Sequence, residues 1–306
     1  MELGLLTAAF PDTELTDVAD WAASHGFTRL EVACWPRGEG AARRYAGVSH
    51  LDVASLDQTR GPEVVADLAS RGIRLSALGY YPNPMHPDPD HRAAIADHLR
   101  ALIRAAAATE VNLVTTFAGG DQRKSADENL LTFAEVWPPL VRYAAEHGVR
   151  IAIENCPMIF SADEWPAGHN IAYSPRLWDA MFDAVDGDPA LGLNLDPSHL
   201  IWQMIDIERV VRDYGDRIYH VHAKDLQIDR EGLYRNGIMS AGIGWQVPRL
   251  PGHGDVDWRR FVAALYRAGY DDVLCVEHED RAFEGTDELV KRGFLLARGT
   301  LAPLMG

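Results

Sequence analysis

Eight short apolar runs, each followed by a stretch with helical periodicity, are the feature that most constrains how this chain can fold. They cover residues 3–8, 29–33, 75–79, 113–117, 150–154, 191–195, 218–223 and 273–277. Each holds apolar residues on both faces instead of alternating them with polar ones, which suits strands covered on both sides in a parallel sheet. The segments between them carry helix boundaries. Residues 13–24 place Leu15, Val18, Ala19 and Ala22 at helical spacing and stop at Gly26. Residues 63–70 follow Pro62, 90–109 are Ala-rich and amphipathic, and 175–185 follow Ser174 as a cap. Residues 128–147 contain Pro138-Pro139, which should kink that helix or begin it. Asp206, Asp257 and Thr286 precede the last three helices.

Eight strand–helix alternations over 306 residues predict an α/β chain folded as a (β/α)8 TIM barrel, one domain over 1–306. A doubly wound open sheet is the alternative, but no GxGxxG follows the first strand. Three long connections, 36–61, 156–173 and 226–256, follow strands two, five and seven. In a barrel all three would stand on the face where strands end in their C-termini.

Composition narrows the partners. Lys and Arg total 29 against 45 Asp and Glu, a net charge of −16, which repels a phosphate backbone and argues against nucleic acid. No apolar run approaches the ~20 residues of a membrane span, and the first residues read as a strand, not as a leader. Three widely spaced cysteines, Cys34, Cys156 and Cys275, suggest reduced thiols and a cytoplasmic protein.

The chemistry gathers at strand ends. Strand five ends in Glu154, strand six in Asp196 with His199 three residues on, and strand eight in Glu277. Strand seven reads HVHAKD and sets His220, His222 and Lys224 on one alternating face. Any one of these alone would be an ordinary polar strand terminator. Four consecutive strands ending in Glu, Asp, His and Glu are hard to explain structurally, because three converging carboxylates resist common ionisation unless a cation joins them. Three oxygens and a nitrogen suit Mn²⁺, Mg²⁺ or Co²⁺, with Zn²⁺ as a further alternative.

With these residues in view, the chain resembles the xylose-isomerase-like TIM-barrel superfamily of sugar isomerases and epimerases. That group includes ketose 3-epimerases, inosose dehydratases and, more distantly, a DNA-repair endonuclease. The likeness spans the whole chain and is carried by IAIEN (151–155), LDPSH (195–199), HVHAKD (220–225), LPGHGDVDW (250–258) and VEHED (276–280). It implies Glu154, Asp196, His222 and Glu277 as metal ligands, Mn²⁺ as the expected ion, and His199 as a substrate contact. It implies that Glu154 and Glu277 exchange a proton on a ketose or keto-sugar through an enediolate, giving a metal-dependent epimerase or isomerase. Lys224 would add positive charge near the oxyanion, and His220, two residues deeper, would pack behind the site.

Two positions depart from the ketose 3-epimerase pattern. Ile228 stands where those enzymes carry an arginine and Phe160 where they carry a carboxylate. Arg249 is the candidate to replace the arginine as a substrate contact. The altered contacts and the long 226–256 segment support an alternative, a lyase or dehydratase acting on a keto-sugar or 3-keto-glycoside through the same site. Trp35, Tyr80, Tyr81 and Asn83 are candidate walls of a sugar pocket. The expected partner is a small carbohydrate, in a homo-oligomer or with a partner subunit as the alternative. Glu279 and Asp280 are expected to cap or solvate the next loop, Cys156 to be an inert thiol, and His50 to be an ordinary surface histidine.

Overall fold

The computed structural model describes residues 1–37, 46–159, 168–238 and 244–306. Eight parallel strands close on themselves: β1 (Glu2–Leu6), β2 (Arg29–Ala33), β3 (Arg74–Gly79), β4 (Leu113–Thr116), β5 (Arg150–Glu154), β6 (Leu191–Leu195), β7 (Ile218–Ala223) and, last in the chain, β10 (Val273–Val276). Closure runs through β1, whose Leu5 stands beside Val276 on one side and Leu30 on the other. The eight predicted strands are these eight, and the closed ring excludes the open doubly wound sheet.

Helices α1 (Leu15–Ser24), α2 (Arg60–Ser70), α3 (Pro89–Ala108), α4 (Ala126–Glu146) and α5 (Pro175–Ala184) wrap the first half of the barrel. α7 (Ile207–Tyr214), α9 (Trp258–Arg267) and α10 (Asp287–Leu301) wrap the rest, with a single turn, α6 (Ser198–Ile201), directly after β6. Their caps are the residues the sequence marks: Asp206, Asp257 and Thr286 accept from Arg209, Arg260 and Leu289 backbone N–H groups. α4 opens on a capping box, Ser125 with Glu128, and runs unbroken through Pro138 and Pro139. The fixed proline φ suits the helix. Trp137, just before the pair, is fully buried and donates its indole N–H to the Ala118 carbonyl, which holds that turn against the barrel. The main core lies between strands and helices, where Phe10, Trp21, Phe27 and Phe294 form one aromatic cluster under α1 and α10. No helix among the described residues is long and apolar enough to cross a membrane.

The 226–256 segment, read as a loop, contains an antiparallel ribbon: β8 (Asp225–Ile228) pairs with β9 (Gln246–Arg249), and α8 (Arg230–Asn236) lies between them. Each strand is four residues long and β9 contains Pro248, so neither period nor composition marked them. Asp225 anchors this ribbon. Its fully buried carboxylate accepts the backbone N–H groups of Leu226, Gly252 and Val256 at 2.8, 2.9 and 3.0 Å and the Trp258 indole N–H at 2.8 Å.

Candidate active site

The C-terminal ends of β5, β6, β7 and β10 bring four of the predicted residues together. His222 lies on β7, and its Nδ1 stands 3.2 Å from a Glu277 oxygen and 3.7 Å from a Glu154 oxygen. One ligand atom from each of these three residues fits within a 4.8 Å cluster. Asp196 enters from the side through Lys224, whose Nζ lies 3.0 Å from Asp196 Oδ2, 2.7 Å from Glu277 Oε2 and 3.9 Å from Glu154 Oε1. His199 turns back over the strand end, with Nε2 3.2 Å from Asp196 Oδ2 and 3.6 Å from Glu154 Oε1.

Local sequence explains this placement. Asn155 clamps two strand ends: its Oδ1 accepts the Asp196 N–H at 2.7 Å and its Nδ2 donates to the Asp196 carbonyl at 2.9 Å. The Asp196 Oδ1 accepts the Ser198 N–H at 2.8 Å, which starts the α6 turn that carries His199 back. Asn170 ties the Glu154 and Cys156 carbonyls to the loop after β4. These two asparagines and Glu31 were not singled out from the sequence. In IAIEN the asparagine directly after Glu154, at a strand end, is itself a readable signal.

The electrostatics are those of buried, opposed charges. Burial would raise the Glu154 pKa, but the imidazoles of His199 and His222 and the Lys224 ammonium hold it below the usual carboxylate range. Asp196 is likewise penalised by burial, yet Lys224 and His199 hold it at about 2. Glu277 goes the other way: burial raises it, and the Lys224 charge offsets this only in part. The Lys224 pKa rises against its own desolvation because Asp196, Glu277 and Glu279 surround it. Glu279, expected to solvate a loop, instead lies 3.2 Å from Lys224, while Asp280 does cap the turn at 281–283.

The donor set fits a divalent cation. Asp196 Oδ2, His222 Nδ1 and His199 Nε2 are buried and make no well-aligned hydrogen bond, only ion-pair contacts within the cluster itself. Four carboxylates, Glu154, Asp196, Glu277 and Glu279, lie within 4 Å of the one ammonium, so acidic groups outnumber the lysine at this point. Three carboxylates and one imidazole are hard-to-borderline donors suited to Mn²⁺, Mg²⁺, Co²⁺ or Zn²⁺.

Other predicted residues lie elsewhere. Arg249 is not brought into this cluster: its guanidinium donates to Gln227 at 2.8 and 3.0 Å and pairs with Asp280 at 3.2 Å, bracing the β8–β9 ribbon. Ile228 lies in β8, with its N–H on Asp255, and Phe160 falls outside the described residues. Trp35, Tyr81 and Phe117 wall a small cavity with Glu154, Glu277 and Glu279 at the barrel mouth, whereas Tyr80 packs on Trp35 and His98. Asn83 instead ties its own loop to Gly120. His50, expected on the surface, is largely enclosed between Thr7 and the Phe10 and Thr13 carbonyls.

The profile of the family described as "Xylose isomerase-like TIM barrel" matches residues 19–298. A Bacillus subtilis protein, "Uncharacterized protein YfiH", is 27% identical over 92% of this chain and 93% of its own length. The inosose dehydratase of Clostridium tetani is 34% identical over 30% of this chain and 32% of its own. Among solved structures, the zinc-bound IOLI protein superposes with a TM-score of 0.71 at 17% identity, over all of this chain and 98% of that one. D-psicose 3-epimerase from Clostridium cellulolyticum H10, solved with D-tagatose, gives 0.69 at 17%, over all of this chain and 99% of that one. At such identity these structures speak for the fold.

Proposed function

The chain belongs to the xylose isomerase-like TIM barrel family, and on that premise we propose that it is a divalent-metal-dependent sugar epimerase or isomerase acting on a ketose or keto-sugar. The observation that carries the reading is the cluster of Glu154, His222 and Glu277 at the barrel mouth, with Asp196 joined to it through Lys224. These four residues would hold the ion, with Mn²⁺ the first choice. When bound, it supplies Lewis-acid polarisation of a substrate carbonyl.

The protein's own groups move the proton. Glu154 and Glu277 come from β5 and β10 and both face the Nδ1 edge of His222, so they can flank a sugar carbon lying over the ring. One carboxylate removes the proton next to the carbonyl, leaving an enediolate, and the other returns it on the opposite face. His199 Nε2 is positioned to hydrogen-bond a substrate oxygen, and the Lys224 ammonium to stabilise developing negative charge. Trp35, Tyr81 and Phe117 give the apolar wall that keeps water from the enediolate. The three cysteines are free thiols, which supports a cytoplasmic setting.

The match to inosose dehydratases favours a second reading on the same site. If the substrate carries a leaving group β to the carbanion, the proton-abstraction step ends in loss of water or an alcohol. The test covers both. The Mn²⁺-loaded protein is incubated in D₂O with a panel of ketoses, keto-inositols and 3-keto-glycosides. Deuterium enters at the carbon beside the carbonyl, and the product separates epimerisation from elimination. Glu154→Gln and Glu277→Gln should each slow exchange by about 10²–10⁴-fold. Full exchange in both variants rejects the assignment.

A further inference from the structure

Beneath the proposed metal site lies a buried carboxylate that the proton chemistry does not use. Glu31, on β2, is fully buried and projects across the barrel interior to β7. Its Oε2 accepts the His222 Nε2–H at 2.7 Å, and the Cys275 thiol lies 3.5 Å from the same oxygen. Its Oε1 accepts the Thr115 hydroxyl at 2.6 Å and the Tyr81 hydroxyl. Tyr81 is itself held by the Asn194 amide at 3.2 Å, and Asn194 Oδ1 meets His220 Nδ1 at 3.0 Å. No arginine or lysine pairs with Glu31 among the described residues. A carboxylate buried this deeply is costly, and the structure gives it donors on four separate strand ends. Its ion-pair partners among the described residues are His222 at 2.7 Å and, farther off at 3.8 Å, His220.

We infer that Glu31 is a positioning residue for the metal centre: it fixes the His222 proton on Nε2 and so presents the Nδ1 lone pair to the point between Glu154 and Glu277. This rests on the metal-centre reading above. The argument is geometric. An imidazole free to rotate or to exchange tautomers could donate from Nδ1 to either glutamate. With Nε2 held by an acceptor-only group, the neutral ring can act at Nδ1 only as a donor of electrons. The carboxylate charge also increases the electron density available at Nδ1, as outer carboxylates do for ligating histidines. Thr115 and Tyr81 keep Glu31 from swinging away, which explains a hydroxyl pair aimed at the oxygen that His222 does not use.

The test is metal affinity, read without turnover. Mn²⁺ and Zn²⁺ are titrated into wild type and Glu31→Gln by calorimetry or chelator competition, and Co²⁺ spectra are recorded for both. Glu31→Gln should bind about 10–100-fold more weakly and shift the Co²⁺ ligand-field bands. Its metal-free melting temperature should fall, because removing one partner of a buried hydrogen-bonded pair leaves the other unsatisfied, so affinity is compared at a temperature where both proteins are folded. Thr115→Val, which loosens Glu31 without touching His222, should weaken binding by several-fold, and Thr115→Ser should restore it; this pair decides the matter if Glu31→Gln does not fold. Unchanged affinity and spectra in folded Glu31→Gln, or in Thr115→Val, overturn the assignment while wild type still binds. A wild type that takes up no divalent ion overturns the metal-centre reading and this assignment with it.

Discussion

Replacing Lys224 by Met removes an ammonium but keeps the side chain's bulk. In the structure that ammonium lies 2.7, 3.0 and 3.2 Å from Glu277, Asp196 and Glu279 and is almost fully buried. A single such pair at 4 Å contributes about 4 kcal/mol at an effective dielectric of about 20, before desolvation is subtracted. Breaking a buried ionic network by removing one partner costs about 3–5 kcal/mol net. With an unfolding entropy of roughly 2.1 cal/mol/K per residue over a chain of this length, Lys224→Met should melt about 5–8 °C lower than wild type in EDTA. The pH dependence has a defined sign. Without Lys224, Glu154, Asp196 and Glu277 each lose a charge that lowers them, so their folded pKa values rise relative to those in wild type. As pH falls the variant's carboxylates take up protons before those of wild type and lose their mutual repulsion, so the deficit should be smaller at pH 5 than at pH 8. Added Mn²⁺ should restore more stability to the variant than to wild type, because it replaces the missing charge without displacing an ammonium. Thermal melts at the two pH values, with EDTA and with Mn²⁺, check all three statements. A metal-free variant that melts with wild type would refute the charge arrangement itself.

The ribbon and the half-buried His50 give two further tests. Asp225→Ala leaves three backbone donors and the Trp258 indole without their acceptor, so it should lose about 2–4 kcal/mol and speed amide exchange across 246–258; unchanged exchange there would show that the ribbon is held by packing alone. Burial pushes the His50 pKa below its ordinary value, so the folded protein keeps this ring neutral while the unfolded chain protonates it near pH 6.5. Its contribution is present above that pH and lost as pH falls towards the lowered folded value. His50→Gln should therefore flatten the fall in urea-melt stability between pH 7 and 5, and an unchanged slope would remove His50 from the acid sensitivity.

The barrel was legible because each strand is covered on both faces, so its apolar run needed no partner to be recognised. The candidate ligands stand out in the sequence for a related reason. Glu154, Asp196 and Glu277 end or directly follow apolar runs, and a charge at the end of a buried strand is conspicuous. The β8–β9 ribbon was not legible, since four-residue strands separated by residues 229–245 carry no period of their own. Arg249 shows the limit of reasoning by replacement. A positive residue in the right segment looked like a substitute for one absent at Ile228, but its charge is committed to Asp280 and Gln227, and only the fold of the ribbon decides that.

Glu31 shows the converse limit, and it separates two kinds of site residue. Like Glu154 it is a carboxylate on an apolar strand, yet it stands in the middle of β2, two residues before the strand ends, where the barrel interior lies below the mouth. Attention to strand ends selects groups that meet substrate or solvent and passes over groups that act from beneath. A glutamate inside a run such as RLEVA carries a large burial cost that no neighbour in sequence offsets. That unresolved cost is itself a signal that a partner on a distant strand must exist. Here the partner is His222, and the polar layer of Thr115, Asn194 and His220 around the pair is fully buried. The orientation of the β7 histidine therefore depends on β2, on the far side of the barrel interior. Substitutions in β2 should accordingly act on metal affinity through His222, although no residue of β2 belongs to the ligand set.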